Sequence, residues 1–186
     1  MDKKRGFLIV TLVIIAIFMC LVIYLLVKEW DMIQMKLGND NPIMWEEESG
    51  EYVDDEILLV EIENKNFEEL GVNITDLFYL PNLEQIHFGL WYDSSDYSKA
   101  LPKQIFHVEL IDENGHVMDH NYYSNGPNGL FGQFQRRQIN NVSLVESEEV
   151  YMVIYPVERI NGEVINLIPE RKLVFTADMQ PLNEYK

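Results

Sequence analysis

Cysteine is all but missing from this chain. Cys20 is the one instance in 186 residues and lies inside an uncharged apolar run. The remainder therefore closes no internal disulfide and holds no thiolate metal site. That is unusual for a small secreted animal domain and ordinary for a Gram-positive bacterial surface protein. Positive charge is scarce too, with 14 Lys and Arg against 31 Asp and Glu and a formal charge of −17. Before Trp30 there are four bases (Lys3, Lys4, Arg5, Lys28) and two acids (Asp2, Glu29), leaving 29 acids and 10 bases from Trp30 onward, a balance of −19. A field of that sign repels phosphate backbones, so nucleic acid is a poor partner and a basic protein or a layer of cations fits better. Solubility and repulsion between copies account for the same charge without a partner.

Recognisable chemistry is also lacking. There is no Gly-x-Ser-x-Gly elbow, no phosphate-cradling loop and no cysteine nucleophile. No cofactor is called for. Of the four histidines, His116 and His120 have the i, i+4 spacing that chelates from a helix, but on a strand it separates them by about 13 Å. His87 and His107 fall in other strands, which argues against a shared metal. Asp93-Ser-Ser-Asp96 and Asp112-Glu-Asn-Gly115 each hold a fragment of a calcium loop and read more simply as turns. Carboxylates are abundant enough for an acid–base pair to meet in space, but sequence does not place one.

What the chain does have is one long greasy segment. Gly6 to Val27 is 22 residues without a charge. At about 1.5 Å per residue it makes a helix of roughly 33 Å, enough to cross a hydrocarbon core of about 30 Å. A cleaved signal would have a shorter apolar core ending in a small-x-small site. A lipoprotein signal would place small residues before Cys20, where Phe18 and Met19 stand. The reading is an uncleaved single-pass anchor. Lys3, Lys4 and Arg5 set its direction, keeping residues 1–5 in the cytoplasm and the rest outside, with Trp30 at the outer interface.

Beyond the anchor, helix is expected to run on through Leu37, with Gly38 as its stop. Residues 45–56 carry seven acids; they could collect calcium, but a self-repelling stalk needs no ligand geometry and is preferred. After Glu56 the pattern switches to a period of two. In Ile105–Ile111, Phe106, Val108 and Leu110 share one face, with His107 and Glu109 on the other. Further strands are expected over 57–63, 74–80, 85–92, 130–135, 150–155, 163–168 and 171–176. Asp112–Gly115 and Asn161-Gly162 are hairpin signals. Eight or nine short strands without another convincing helix predict an all-β, antiparallel, Ig-like β-sandwich over 57–186, following a juxtamembrane helix and stalk over 28–56.

Gly126-Pro-Asn-Gly129-Leu-Phe-Gly132 suits a wide turn feeding a bulged strand, and equally a mobile binding loop. Arg136 and Arg137 follow it as the adjacent basic pair of an acidic domain, and pairing with nearby acids is their blander role. Gly126, Gly129, Gly132, Arg136 and Arg137 are therefore the candidate binding residues.

The order of Asp112-Glu-Asn-Gly115, the glycine stretch 126–132, Val153-Ile-Tyr-Pro156 and Lys172-Leu-Val-Phe-Thr176 resembles the small β-sandwich ectodomains of Firmicute membrane proteins of the DUF4179/DUF5643 type. The resemblance covers 86–178, implies a fold and an extracytoplasmic location, and brings no site residues. Such proteins often sit outside an anti-sigma module, which this chain lacks. The expected function is a membrane-anchored, non-catalytic extracytoplasmic module that binds or senses a protein. Alternatives are an immunity-type protein intercepting an exported toxin at the membrane, for which a basic toxin would suit the acidic surface, and a carboxylate-based cell-wall hydrolase with two acids about 5 to 9 Å apart.

Overall fold

A computed structural model describes residues 3–38, 40–44, 56–93, 105–118, 121–130, 132–144, 147–160, 163–177 and 183–184. The apolar run forms α1 (Lys3–Lys36), and Phe7–Lys36 is long and apolar enough to cross a membrane. Side chains from Phe7 to Val27 stand mostly exposed, because no protein surface covers them among the described residues. The helix ends where its sequence says it should. Gly38 takes a φ of 71° and its N–H donates to Met35 O at 3.2 Å, closing the last turn.

Among the described residues thirteen strands follow: β1 (Leu58–Val60), β2 (Asn66–Phe67), β3 (Val72–Ile74), β4 (Leu77–Leu80), β5 (Gln85–Asp93), β6 (Phe106–Asp112), β7 (Val117–Met118), β8 (Asn121–Asn128), β9 (Gly132–Asn140), β10 (Glu149–Ile160), β11 (Glu163–Asn166), β12 (Glu170–Thr176) and β13 (Asn183–Glu184). All pair antiparallel, in two sheets. In the eight-stranded sheet β5 is central. β9 runs along one edge of it and carries β8, while β4 and β3 share the other edge and lead to β1, β13 and β2. In the five-stranded sheet β10 lies between β6, which carries β7, and the successive pieces β11 and β12.

Period-two alternation decides what is buried. Ile86, Phe88, Leu90 and Tyr92 of β5, Phe106, Val108 and Leu110 of β6, and Val150, Met152 and Ile154 of β10 belong to one apolar cluster fed by both sheets. The expected strand over 74–80 is two strands. Between them Asp76 accepts from Ile62 N–H at 2.9 Å and pairs with Lys65 at 2.6 Å, and Thr75 exchanges backbone and hydroxyl bonds with Gly89, so the chain steps sideways there.

The expected strand over 130–135 instead begins at Gly132 and runs on to Asn140. Its partner β8, Asn-Tyr-Tyr-Ser-Asn-Gly-Pro-Asn, is an edge strand whose polar composition hides its period. The turn at Asp112–Gly115 forms as its residues demand. Asp112 Oδ1 accepts from the N–H groups of Asn114 and His116, and Gly115 has a φ of 81°. The acidic run 45–55, Ser94 to Asp96, His120 and the Asn161-Gly162 turn lie outside the described residues.

Candidate functional site

The end of α1 does not hang free. Met32 and Met35, three residues apart on one helical face, are 1% and 2% exposed and pack with Phe134 and the half-buried Trp91. Trp91 and Phe134 are directly opposite in the β5–β9 ladder and point away from the main core, where their rings stack at 6.1 Å and 7°. Glycines make the slot for the Phe134 ring: a Cβ at Gly89 would stand 2.1 Å from its Cζ, and one at Gly126 2.5 Å from its Cδ1.

Glu29 completes the seat by accepting the Leu130 N–H. A Cβ on Gly129 would lie 2.5 Å from the Glu29 carboxylate, and one on Gly132 3.7 Å from both Met32 Cε and Lys36 Nζ. The glycine stretch is thus brought together as the surface on which the helix end rests. A bulge falls in β8, ahead of the turn and not in the strand it feeds, where the register shifts between Asn125 and Asn128. The Gly129 N–H donates to Gly132 O at 3.1 Å, tightening the turn.

Arg136 and Arg137 part company, as neighbours on a strand must. Arg136 points to the outer face with half exposure, whereas Arg137 is 0% exposed on the inner face. Its guanidinium donates to Phe106 O at 3.0 Å and Gln135 Oε1 at 2.7 Å and stands 5.1 Å from the centre of the Tyr123 ring. Burial pushes its pKa down to about 10, against the opposing pull of the Tyr123 and Tyr92 phenols. Arg137 therefore ties the two sheets together from inside, instead of offering the surface charge that the basic pair suggested.

The chain after α1 continues along the same outer face. Pro42 and Ile43 are buried, and Met44 N–H donates to His87 Nδ1 at 3.2 Å. His87 Nε2 must then carry the proton, which it shares with Gln85 Oε1 at 3.1 Å. Burial drives the His87 pKa down to about 4.

The other sheet shows a different outer face. Tyr151, Val153 and Tyr155 of β10 lie there beside His107 and Glu109 of β6 and Arg171 and Leu173 of β12. Glu109 joins His107 Nε2 at 3.0 Å and the Tyr155 hydroxyl at 2.9 Å through its two oxygens. The Tyr151 hydroxyl donates to Glu149 at 2.6 Å, and the Arg171 guanidinium stacks over the Tyr151 ring at 4.0 Å. Burial and the bond to Glu109 push the Tyr155 pKa up; for Tyr151 the bond to Glu149 is the first cause of the same shift.

These contacts hold the rings in fixed, half-exposed orientations. The period-two pattern places His107 and Glu109 on one face but does not single out Tyr151, Tyr155 and Arg171. Their signal is the alternation Glu149, Tyr151, Val153, Tyr155. Nor are Glu29, Met32 and Met35 singled out, since their only mark is helical spacing.

Among the described residues no group of three His, Cys, Asp or Glu side chains could hold a metal ion. Compared with known proteins, the chain matches no family model, no curated protein and no solved structure.

Proposed function

We propose that this chain is a single-pass, membrane-anchored, non-catalytic binding module whose two sheets form an Ig-like β-sandwich outside the cell and which acts through protein contacts. An apolar α1 supports the anchor, and the positive flank Lys3, Lys4 and Arg5 supports a cytoplasmic N-terminus. The resemblance to Firmicute ectodomains points the same way. The observation that carries the binding reading is the outer face of β6, β10 and β12. It presents tyrosines and an arginine, the residue types enriched where proteins meet. They are held in place by Glu109 and Glu149 before any partner arrives, so little side-chain freedom remains to be lost on docking. The acid surplus of the domain suits a partner with a basic surface.

The test is crosslinking of the intact anchored protein in its own cells, beside the double variant Tyr151→Ala, Arg171→Ala. A protein partner recovered with the native chain and lost with the variant is expected, because truncating such anchors costs about 2 kcal/mol or more. Recovery of no protein partner, or equal recovery with the variant, contradicts the reading.

A further inference from the structure

The register of the strands fixes which end of the domain faces the membrane. α1 reaches the domain at Glu29, which holds the Leu130 N–H in the turn between β8 and β9, and from there the chain climbs past Phe134 to His87. The end where β5 stops, at Asp93 paired with Gly132, is therefore the end nearest the span. In the second sheet the same end is marked by Phe106, whose ring meets Tyr92 edge-on at 5.2 Å and whose strand partner is Pro156.

β10 does not stop there. Val157 still reaches Ile105 O at 2.7 Å. From Glu158 to Ile160 the partners are Ile165, Val164 and Glu163 of β11. Three residues of two-stranded ribbon thus project about 10 Å past the body of the sheet, toward the side from which α1 arrives. The ribbon and its root expose aliphatic side chains, with Ile165 at 40%, Leu167 at 38% and Ile168 at 84%, and Leu167, Ile168, Pro156 and Asn166 line an open groove. Leu130 adds a fourth at 44%.

The heights agree. Glu29 lies two residues beyond Val27, about 3 Å above the hydrocarbon edge. Leu130, bonded to it, is within a headgroup layer that occupies about 5 to 8 Å on each side. Ile165, opposite Glu158 and so two residues past Pro156, projects about 7 Å from the Phe106 level, about as far as Leu130 in its turn projects from the Tyr92 level.

We propose that the β10–β11 arm is a second lipid contact: it rests Ile165 in the outer headgroup layer, with Leu167 and Ile168 at its root above that layer, so that the domain stands on the membrane at two points, α1 and the arm. Glu158 and Glu163 on the arm disfavour an anionic-headgroup site, so the contact is apolar and suits a zwitterionic surface. The inference rests on α1 spanning the membrane.

Full-length protein in which Cys20→Ala removes the native thiol can be given a single environment-sensitive label at Ile165→Cys, Ile168→Cys, Glu113→Cys or Val10→Cys. Each is reconstituted in phosphatidylcholine vesicles with and without spin-labelled lipid. Ile165 and Ile168 are exposed enough to accept the change without loss of the fold, and Glu113 marks the far end. Lipid quenching of roughly twofold at Ile165 on the arm, less at Ile168 at its root and none at Glu113, is expected for a ribbon that reaches the interface. Quenching at Val10 with none on the arm overturns the proposal and leaves the anchor standing, whereas no quenching at Val10 overturns the anchor and the proposal with it. A blue-shifted arm label insensitive to spin-labelled lipid means that protein covers the arm, and also overturns it.

Discussion

Two adjacent arginines show how strongly position on a strand governs a side chain. Arg136 and Arg137 look alike as a basic pair, yet one step along β9 puts the first on the outer face and the second in the interior. Losing Arg137 removes its bonds to Phe106 O and Gln135 Oε1 and opens a cavity. Arg137→Ala is therefore expected to destabilise the domain by about 3 kcal/mol or more, and Arg136→Ala by less than about 0.5 kcal/mol, in denaturant unfolding. Equal effects would place both side chains in the same environment. The pair was visible in the sequence; its division was not, since the face each residue takes depends on strand bounds that Arg136, Arg137 and Gln138 obscure by being polar.

His87 carries a pH dependence of definite sign. Its folded pKa, pushed down to about 4 by burial, lies below the ordinary 6.5. The unfolded chain therefore takes up a proton first as acid is added. Stability is full above 6.5 and falls progressively toward pH 4, a loss on the order of 3 kcal/mol from this group. Protonation also removes the acceptor for the Met44 N–H. Melting curves should show His87→Gln losing less stability than the native chain between pH 7 and pH 4.5; an unchanged acid slope would contradict the assignment.

At the level of elements, local signals were the legible ones. The apolar run and Gly38 set α1, and Asp112 and Gly115 set their turn, because each acts through its own backbone neighbourhood. β8 is not legible, because an edge strand of Asn, Tyr, Ser, Gly and Pro has no apolar period. The helix seat is hidden for another reason: Met32, Met35, Trp91, Phe134 and the glycines that flank the ring come from four separate elements. Gly89→Val should drive a side chain into Phe134 and cost about 1–3 kcal/mol. Its signature is local, with amide exchange accelerating over Asp31–Lys36 more than in β6 and β10. Uniform acceleration across both sheets would contradict a seat confined to the outer face of β5 and β9.

On the scale of the whole molecule, one helix long and apolar enough to cross a membrane is joined to two antiparallel sheets. The run from Gly6 to Val27 was plain in the sequence because membrane crossing asks for little more than length and hydrophobicity. The seating of the domain on that helix was not, since it depends on how far apart in sequence the meeting residues lie. From these features we propose that the acidic domain is held outside the cell, seated on a helix that spans the membrane. The most direct measurement is labelling of intact cells with a membrane-impermeant maleimide, using full-length protein that carries Cys20→Ala and Glu113→Cys. Complete labelling at position 113 before the cells are opened is the predicted result. Labelling that appears only after the membrane is permeabilised would contradict the account.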